Sequence, residues 1–538
     1  MTSRQRGLWT GTYDRPAHGS CAQEKPLVPP GITIVGLGPG GAHLWTEAAR
    51  RVFAQSREIW LRTARHPGVE ELTANPALKV HSFDAWYDEA ADFASLYERI
   101  ARRIIELGQR EQGVVYAVPG HPSVGETTVS LIRRMAQEAG LPVHIVPGLS
   151  FLEPVLTALG VDALDGLQIV DADQLAILHH PPLNPDRPAL VAQLYSRRQA
   201  AQVKLTLMNS YPETHLVTLV HAAGTERERI ITIPLYELDR QPGIDHLTTL
   251  YLPPLAGAAS LPALQETVAH LRAPDGCPWD REQTHLSLRP YLLEEAYEVL
   301  AALDAEDRRA LIEELGDLLL QIVLHAQIAA EEGDFLMADV IRTIDAKLHR
   351  RHPHVFGAVT VSGVSEVLVN WEAIKRSERV HAGDSAPEKA GAQPKSILDG
   401  VPPAMPALAR AQAIAERVAR VGFDWPDVQG VLEKIAEEAR ELAAAASPEA
   451  RAAELGDLLT AVVNLARWLD VDAESALRAA NDRFCRRFRM VEQLAAQRGL
   501  ELSALDIHAL DALWEEAKNL ADATEATEQR ALRQEDEA

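Results

Sequence analysis

The feature that most constrains this chain is a repeat in its second half, where five short elements recur in one order. Two copies of one folding unit are the simplest source of such a pattern. Each copy begins near an aromatic-acid element, CPWD at Cys277–Asp280 and FDWPD at Phe423–Asp427. A double-glutamate stretch follows, with Glu294, Glu295 and Glu298 in LLEEAYEVL and Glu437, Glu438 and Glu441 in KIAEEAREL. Next come EELGDLLLQIV, with Glu314 and Asp317, and AELGDLLTAVV, with Glu454 and Asp457. A basic segment comes fourth: Lys347, Arg350 and Arg351 in one copy, Arg483, Arg486 and Arg487 in the other. Each copy closes on a Trp and a Lys four apart, Trp371 with Lys375 and Trp514 with Lys518. Apolar positions three and four apart run through residues 261–380 and 397–520, which predicts two all-helical domains with no strands.

On a helix, residues three and four apart share a face, so Glu295 projects with Glu298, and Glu314 with Asp317. If the two helices are antiparallel, four carboxylates converge, and the same holds for Glu438, Glu441, Glu454 and Asp457. Like charges that close repel unless a cation sits among them, and an oxygen-only donor set points to Mg²⁺ or Mn²⁺. A single acidic motif is usually a solvated helix face; its repetition beside apolar runs argues for a site at the edge of a buried helix. The charge distribution agrees: 23 basic against 27 acidic side chains in residues 1–250, but 30 against 50 in residues 251–538, within a net charge of −24. Such a surface repels nucleic acid, and no nucleic-acid partner is expected. Mg²⁺ beside Lys and Arg suits a polyphosphate, whose charge must be neutralised as oxygen attacks phosphorus. Trp371 and Trp514 could stack on a base or fill a core. His349, His352 and His354 do not form a zinc pattern, because Pro353 breaks the helix that would align them.

The first half has a different texture. Residues 1–30 read as a loose tail. From Ile32, short β-branched runs (ITIV, EIWL, VVYAV, VHIV, HLVTLV, RIITI, HLTTLYL) alternate with helical stretches such as EAARRVFAQS, which predicts an α/β domain over 31–253. The stretch PPLAGAASLP then reads as an interdomain linker, residues 381–396 as a second linker, and residues 521–538 as a charged tail. Gly36, Gly38 and Gly41 follow the first strand and satisfy GxGxxG, which leaves a dinucleotide site or a structural turn open. A dinucleotide fold would want an acid at the end of the next strand, where this chain has Arg62 and Thr63, with Glu58 at the strand's beginning. Two further loops, with Gly120, His121 and Pro122 and with Gly148 and Ser150, also follow strands; strand ends of one polarity make one cleft. Three cysteines without a CxxC pair, no apolar stretch near the ~20 residues that span a bilayer, and no secretory h-region predict a cytoplasmic protein with no membrane partner.

Taken together, EExxE, ELGD, GCPWD, RRHPHVF, NWEAIK and VGFDW resemble the MazG family of nucleoside triphosphate pyrophosphohydrolases, over nearly all of residues 260–520. The resemblance implies an all-α fold, a homodimer through the helical domains, and hydrolysis of nucleoside triphosphates to the monophosphate and pyrophosphate. It implies metal ligands Glu295, Glu298, Glu314 and Asp317 in one block and Glu438, Glu441, Glu454 and Asp457 in the other. Glu294 and Glu437, with Glu295 and Glu438, become candidates to orient or deprotonate the attacking water. Lys347, Arg350, Arg351, Trp371 and Lys375, and Arg483, Arg486, Arg487, Trp514 and Lys518, become candidate phosphate and nucleotide contacts.

The GLGPG, PGHP, PGLS and VTLVHAAGT segments of residues 31–253 are similar to the tetrapyrrole methylase family, and the pairing with a MazG half resembles YabN-type fusions. This implies S-adenosylmethionine bound between two α/β subdomains near Pro39, Gly120, His121, Val124, Ser150, Phe151 and Ala222. Many members of that family have GDP where this chain has Gly120-His121-Pro122. The expectation is therefore a bifunctional enzyme in nucleotide-pool housecleaning, with a nucleotide- or S-adenosylmethionine-sensing regulator as the alternative.

Overall fold

The structure is a computed structural model that describes residues 31–520 apart from 91, 365, 368, 369, 372, 373, 375–377 and 379–395. The expected tails, nearly all of the 381–396 linker, and Lys375 lie outside the described residues. The chain divides into two compact units, residues 1–282 and 283–538. The division does not fall in the Pro/Gly/Ala stretch. Asp186 accepts from the Ala259 amide at 2.7 Å and binds the Ser260 hydroxyl, and Ser260 caps the helix Leu261–Arg272, so this stretch is tied to the first unit.

The first unit holds two five-stranded sheets. The first, ordered β3-β2-β4-β1-β5, contains β1 (Ile32–Gly36), β2 (Glu58–Leu61), β3 (Lys79–Ser82), β4 (Val114–Val118) and β5 (Val143–Val146), all parallel. The second, β6-β7-β10-β8-β9, contains β6 (Gln168–Asp171), β7 (Ala189–Ala192), β8 (Leu216–His221), β9 (Arg229–Pro234) and β10 (Thr248–Leu252), and is mixed. β1 and β4 are buried along their whole length, as strands covered on both faces must be, which explains their unbroken apolar runs. The seven β-branched runs are all strands. KVHS, QIVD and ALVA were not legible as strands, being four residues long and partly polar or alanine-rich.

Among the described residues the second unit has helices and turns but no strand. Its first block contains α1 (Arg289–Asp304), α2 (Arg308–Glu332) and α3 (Met337–Arg351); its second contains α4 (Ala407–Ala419), α5 (Val428–Ala444), α6 (Pro448–Trp468) and α7 (Ala473–Gln497). The turn between α1 and α2 is three residues long, and so is the turn between α5 and α6. Connections that short force antiparallel neighbours. Asp307 caps α2 by accepting from Arg309 and Ala310 at 2.9 and 3.0 Å, and Ser447 caps α6 from Ala450 at 3.1 Å with Pro448 at the first helical position. The aromatic-acid element of the second block does related work: Asp427 caps α5 through the Gly430 amide at 3.0 Å, and Asp424 pairs with Arg467. Arg478 of α7 reaches Asp304 of α1 at 2.7 Å, joining the blocks.

The two blocks leave the same stripe uncovered. Leu315, Leu319 and Ile322 are 49, 40 and 43% exposed on α2, and Leu455, Leu459 and Val462 are 47, 47 and 46% exposed on α6. The apolar runs after ELGD were expected to be buried; within one chain Leu319 and Ile322 of the first run, and Leu459 and Val462 of the second, face outward.

Candidate functional sites

In the first unit β1 lies between β4 and β5, so the loops that leave their C-terminal ends are neighbours. They touch at their glycines. Gly38 and Gly120 exchange backbone hydrogen bonds at 3.2 and 2.9 Å, with φ of +72° and +63°. A Cβ on Gly36 would stand 2.5 Å from the Gly120 carbonyl and 2.7 Å from the Gly148 nitrogen. Three loops thus converge with space for hydrogen alone, which brings Pro39, Gly120, His121, Val124, Ser150 and Phe151 to one edge of the sheet. Ala222 lies at the end of β8 with φ of +52°, and its loop packs on the helix Leu152–Leu159: a Cβ on Gly224 would meet Pro154 at 2.9 Å. The strand order differs from the 3-2-1-4-5 run of a dinucleotide fold.

Side chains brace this edge. His121 accepts from the Ser123 amide at 3.0 Å, and Glu153 accepts from both the Ser150 amide and hydroxyl at 2.7 Å. Sequence reasoning missed two supports. His66 contacts the Gly38 carbonyl at 2.9 Å, and burial holds its pKa below the usual imidazole range. Arg62, at the end of β2, pairs with Glu126 at 2.6 Å; Glu126 is nearly fully buried, and burial raises its pKa despite the guanidinium. A buried acid does exist near the cleft, but it lies five residues beyond His121 and is neutralised by Arg62.

In the second unit the antiparallel hairpins bring carboxylates together twice. Oxygens of Glu295, Glu314 and Asp317 lie within 4.8 Å of one another, and so do those of Glu438, Glu441 and Glu454. Glu298 and Asp457 stand beside these trios. Burial first, then the charges of Asp317 and Glu298, raise the pKa of Glu295; burial, Glu298 and Asp317 raise Glu314. Burial, Glu441, Glu438 and Asp457 raise Glu454. Glu438 is 5% exposed, and its Oε2 is buried without a hydrogen-bond partner. An orphaned buried carboxylate oxygen facing two more carboxylates is costly alone and well suited to a hard divalent cation. Glu294 and Glu437 are exposed, at the outer side of each trio.

One cation is already at the second trio. Lys434 donates to Glu438 at 2.7 Å and to Glu437 at 3.0 Å, which raises its pKa. Its spacing of three and four residues from those acids was a usable signal that sequence reasoning overlooked. The register of the repeat places Tyr291 at the corresponding point of the first block.

The basic segments lie on α3 and α7. Arg350 and Arg351 both bind Glu378, while Lys347 is half-buried. Arg483 and Arg486 are exposed on α7. Lys518 lies 3.7 Å from Glu515. Trp514 packs with Val491, Leu494 and Leu513, 5.1 Å from the Phe484 ring, and Trp371 makes an edge contact with His352 at 5.4 Å. Both indoles are thus engaged in packing. Pro353 does end α3, and His349 stacks on Phe356 while His352 and His354 tilt together.

An α/β domain with a glycine-lined cleft, joined to tandem helical blocks with carboxylate trios, defines the class. The tetrapyrrole (corrin/porphyrin) methylase family matches residues 31–239, and the MazG nucleotide pyrophosphohydrolase domain family matches residues 283–356. YabN of Bacillus subtilis, an uncharacterised protein, is 40% identical over 500 residues, covering 90% of this chain and 98% of its own. The chain belongs to this YabN-type family, in which a tetrapyrrole methylase domain is fused to a MazG half. The nucleoside triphosphate pyrophosphohydrolase/pyrophosphatase MazG of Thermotoga maritima is 49% identical over 46% of this chain and 91% of its own. The nucleoside triphosphate pyrophosphohydrolase of Escherichia coli is 46% identical over 46% and 93%. Among solved structures, uroporphyrin-III C-methyltransferase of Thermus thermophilus is 19% identical with a TM-score of 0.34, covering 42% of this chain and 92% of that one. Among the described residues no helix is long and apolar enough to cross a membrane.

Proposed function

We propose that this chain is a cytoplasmic, bifunctional enzyme: a Mg²⁺-dependent nucleoside triphosphate pyrophosphohydrolase in nucleotide-pool housecleaning, with an N-terminal domain that binds S-adenosylmethionine. The observation that carries the hydrolase reading is the buried, unpartnered Oε2 of Glu438 facing Glu441 and Glu454. The pyrophosphohydrolase names of the Thermotoga and Escherichia relatives support it. The catalytic modules are residues 261–380 and 397–520, and Glu438, Glu441, Glu454 and Asp457 hold the cation in the second. A bound Mg²⁺ would neutralise phosphate charge and acidify a water molecule. Glu437, exposed beside the trio, would orient the attacking water and take its proton; Arg483, Arg486, Arg487 and Lys518 would hold phosphate oxygens and stabilise the charge that develops on them. The exposed stripes Leu315-Leu319-Ile322 and Leu455-Leu459-Val462 support a homodimer through the helical domains, since apolar faces of that kind mark association surfaces.

The experiment is pyrophosphate release from a panel of nucleoside triphosphates with and without Mg²⁺. Release that depends on metal supports the reading; no release under any condition leaves a nucleotide sensor. In the first unit the Gly36-Gly120-Gly148 convergence supports a ligand held by backbone groups. Calorimetric titration of the full chain should show S-adenosylhomocysteine binding that Gly148→Ala removes. Binding of NAD with no heat from S-adenosylhomocysteine would sink that half of the proposal.

A further inference from the structure

His66 stands between two loops of the first unit, and both of its ring nitrogens are committed. It follows β2 in the turn His66-Pro67-Gly68, ahead of the helix Val69–Thr73. Its Nε2 contacts the Gly38 carbonyl at 2.9 Å, and its Nδ1 accepts from the Gly68 amide at 3.1 Å. A carbonyl accepts and an amide N–H donates, so these two partners fix one form of the ring: neutral, with its proton on Nε2. The Gly38 carbonyl also accepts from the Gly120 amide at 2.9 Å, while the Gly38 amide donates to the Gly120 carbonyl at 3.2 Å. The imidazole is thus bonded to the peptide at which two glycine loops meet.

The turn behind the ring has no space to draw back. A Cβ on Gly68 would stand 2.8 Å from the Trp45 indole nitrogen and 3.3 Å from His66 Nδ1, and Trp45 is itself buried. A proton added to Nδ1 would therefore face the Gly68 N–H, donor against donor. Burial keeps the His66 pKa below the usual imidazole range, against the Gly38 bond, which pulls it up. The charged groups around it are engaged with other partners: Arg50 lies over the Trp45 ring, Arg65 faces Asp88, and Asp84 accepts from Thr63 and Ala64. His43 and His121 are the imidazoles that follow the two glycine loops.

We infer that His66 is a positioning residue of the first unit: its neutral ring clamps the Gly38 peptide in the shape that receives S-adenosylmethionine, and acid releases the clamp and the ligand with it. This rests on the reading of that cleft as an S-adenosylmethionine site. Binding is strongest where the ring is neutral. As pH falls below the ordinary imidazole value of ~6.5 and reaches the lowered one, protonation displaces either the Gly68 amide or the ring, and the Gly38 carbonyl loses one of its two donors.

The test is calorimetric titration of S-adenosylhomocysteine into the full chain at about pH 8 and about pH 5, for wild type, His66→Gln and His66→Ala, with hydrogen exchange of the Gly38 and Gly120 amides in the ligand-free proteins near neutrality. Glutamine can donate to the Gly38 carbonyl from its amide nitrogen and does not titrate. Wild type should bind at least roughly tenfold more weakly in acid, and His66→Ala should be weaker than neutral wild type by roughly tenfold at both pH values. His66→Gln should stay within about threefold of neutral wild type at both. Exchange at Gly38 and Gly120 should be faster in His66→Ala and restored in His66→Gln. An acid loss in His66→Gln equal to that of wild type would overturn the inference, because His43 or His121 would then carry it; so would His66→Ala that binds like wild type at the higher pH. Should His66→Ala fail to fold, wild type and His66→Gln decide. If wild type gives no heat at either pH, the S-adenosylmethionine reading of the cleft fails, and exchange decides the clamp: faster exchange in His66→Ala upholds it and unchanged exchange overturns it.

Discussion

The two helical blocks share helix order, turn length and a carboxylate trio, yet the cation that meets the trio is present in one of them alone among the described residues. Among the described residues the first trio makes no ion pair with a lysine, and Arg350 and Arg351 are held by Glu378. In the second block Lys434 is bound to Glu438 and Glu437, and the register places Tyr291 at its point in the first block. The difference teaches that duplicated ligands do not make duplicated sites. A lysine on a flexible stem can swing out when a divalent cation arrives and still serve an anion nearby.

The comparison breaks most sharply under ligand deletion. Glu454→Ala or Asp457→Ala should lower pyrophosphate release by roughly 100-fold or more, since a hard cation held by few carboxylates does not survive the loss of one. Glu314→Ala with Asp317→Ala should change it less than about twofold, because among the described residues the first trio offers no buried, unpartnered oxygen like Glu438 Oε2. Steady-state rates with Mg²⁺ in excess check both, and the reverse ranking would move catalysis to the first block.

A smaller effect is expected at Lys434. Lys434→Gln should tighten Mg²⁺ binding by roughly three- to tenfold, by removing the resident competitor, a part-exposed lysine on a nearly buried carboxylate. It should also lower the melting temperature of the metal-free protein, because the nearly buried Glu438 then loses the Lys434 ammonium. Calorimetric titration of Mg²⁺ together with a thermal melt in chelator checks both signs; unchanged metal affinity would mean that Lys434 does not occupy the cation's place.

The smallest effect is in pH. Glu295, Glu314 and Glu454 have folded-state pKa values above the ordinary glutamate value of 4.5. Between the ordinary and raised values the native state binds more protons than the unfolded chain, so these groups destabilise above that window and the penalty is relieved as pH falls through it. Glu378 acts oppositely, contributing stability that is lost only as pH falls toward about 2. In chelator, Glu314→Ala should flatten the rise in stability on acidification from neutrality more than Glu454→Ala does. The first block carries two raised carboxylates, and Lys434 offsets the shift of Glu454 in the second. Melting curves at several pH values measure this, and equal slopes for the two variants would erase the electrostatic difference between the blocks.

The repeat itself was legible because helical periodicity is local: spacings of three and four residues place Glu295 with Glu298 and Glu454 with Asp457 whatever the fold around them. The glycine loops were legible for a similar reason, since strand, glycine and helix follow each other within a few residues. Strands β3, β6 and β7 were not, because their residues become strands by pairing with partners distant in sequence. Nor were the exposed stripes on α2 and α6, where an apolar run reads the same whether its cover is the same chain or another.

Sequence by itself thus determined two things: an α/β domain followed by two acidic helical copies, and which carboxylates could meet. Tertiary structure alone decided what each charge meets. Arg62 finds Glu126 across 64 residues, and Arg350 and Arg351 find Glu378 across 28 and 27. Ion pairs form between side chains brought within a few ångströms, and at such separations in sequence the spacing of residues sets no distance in space; only the packed fold does.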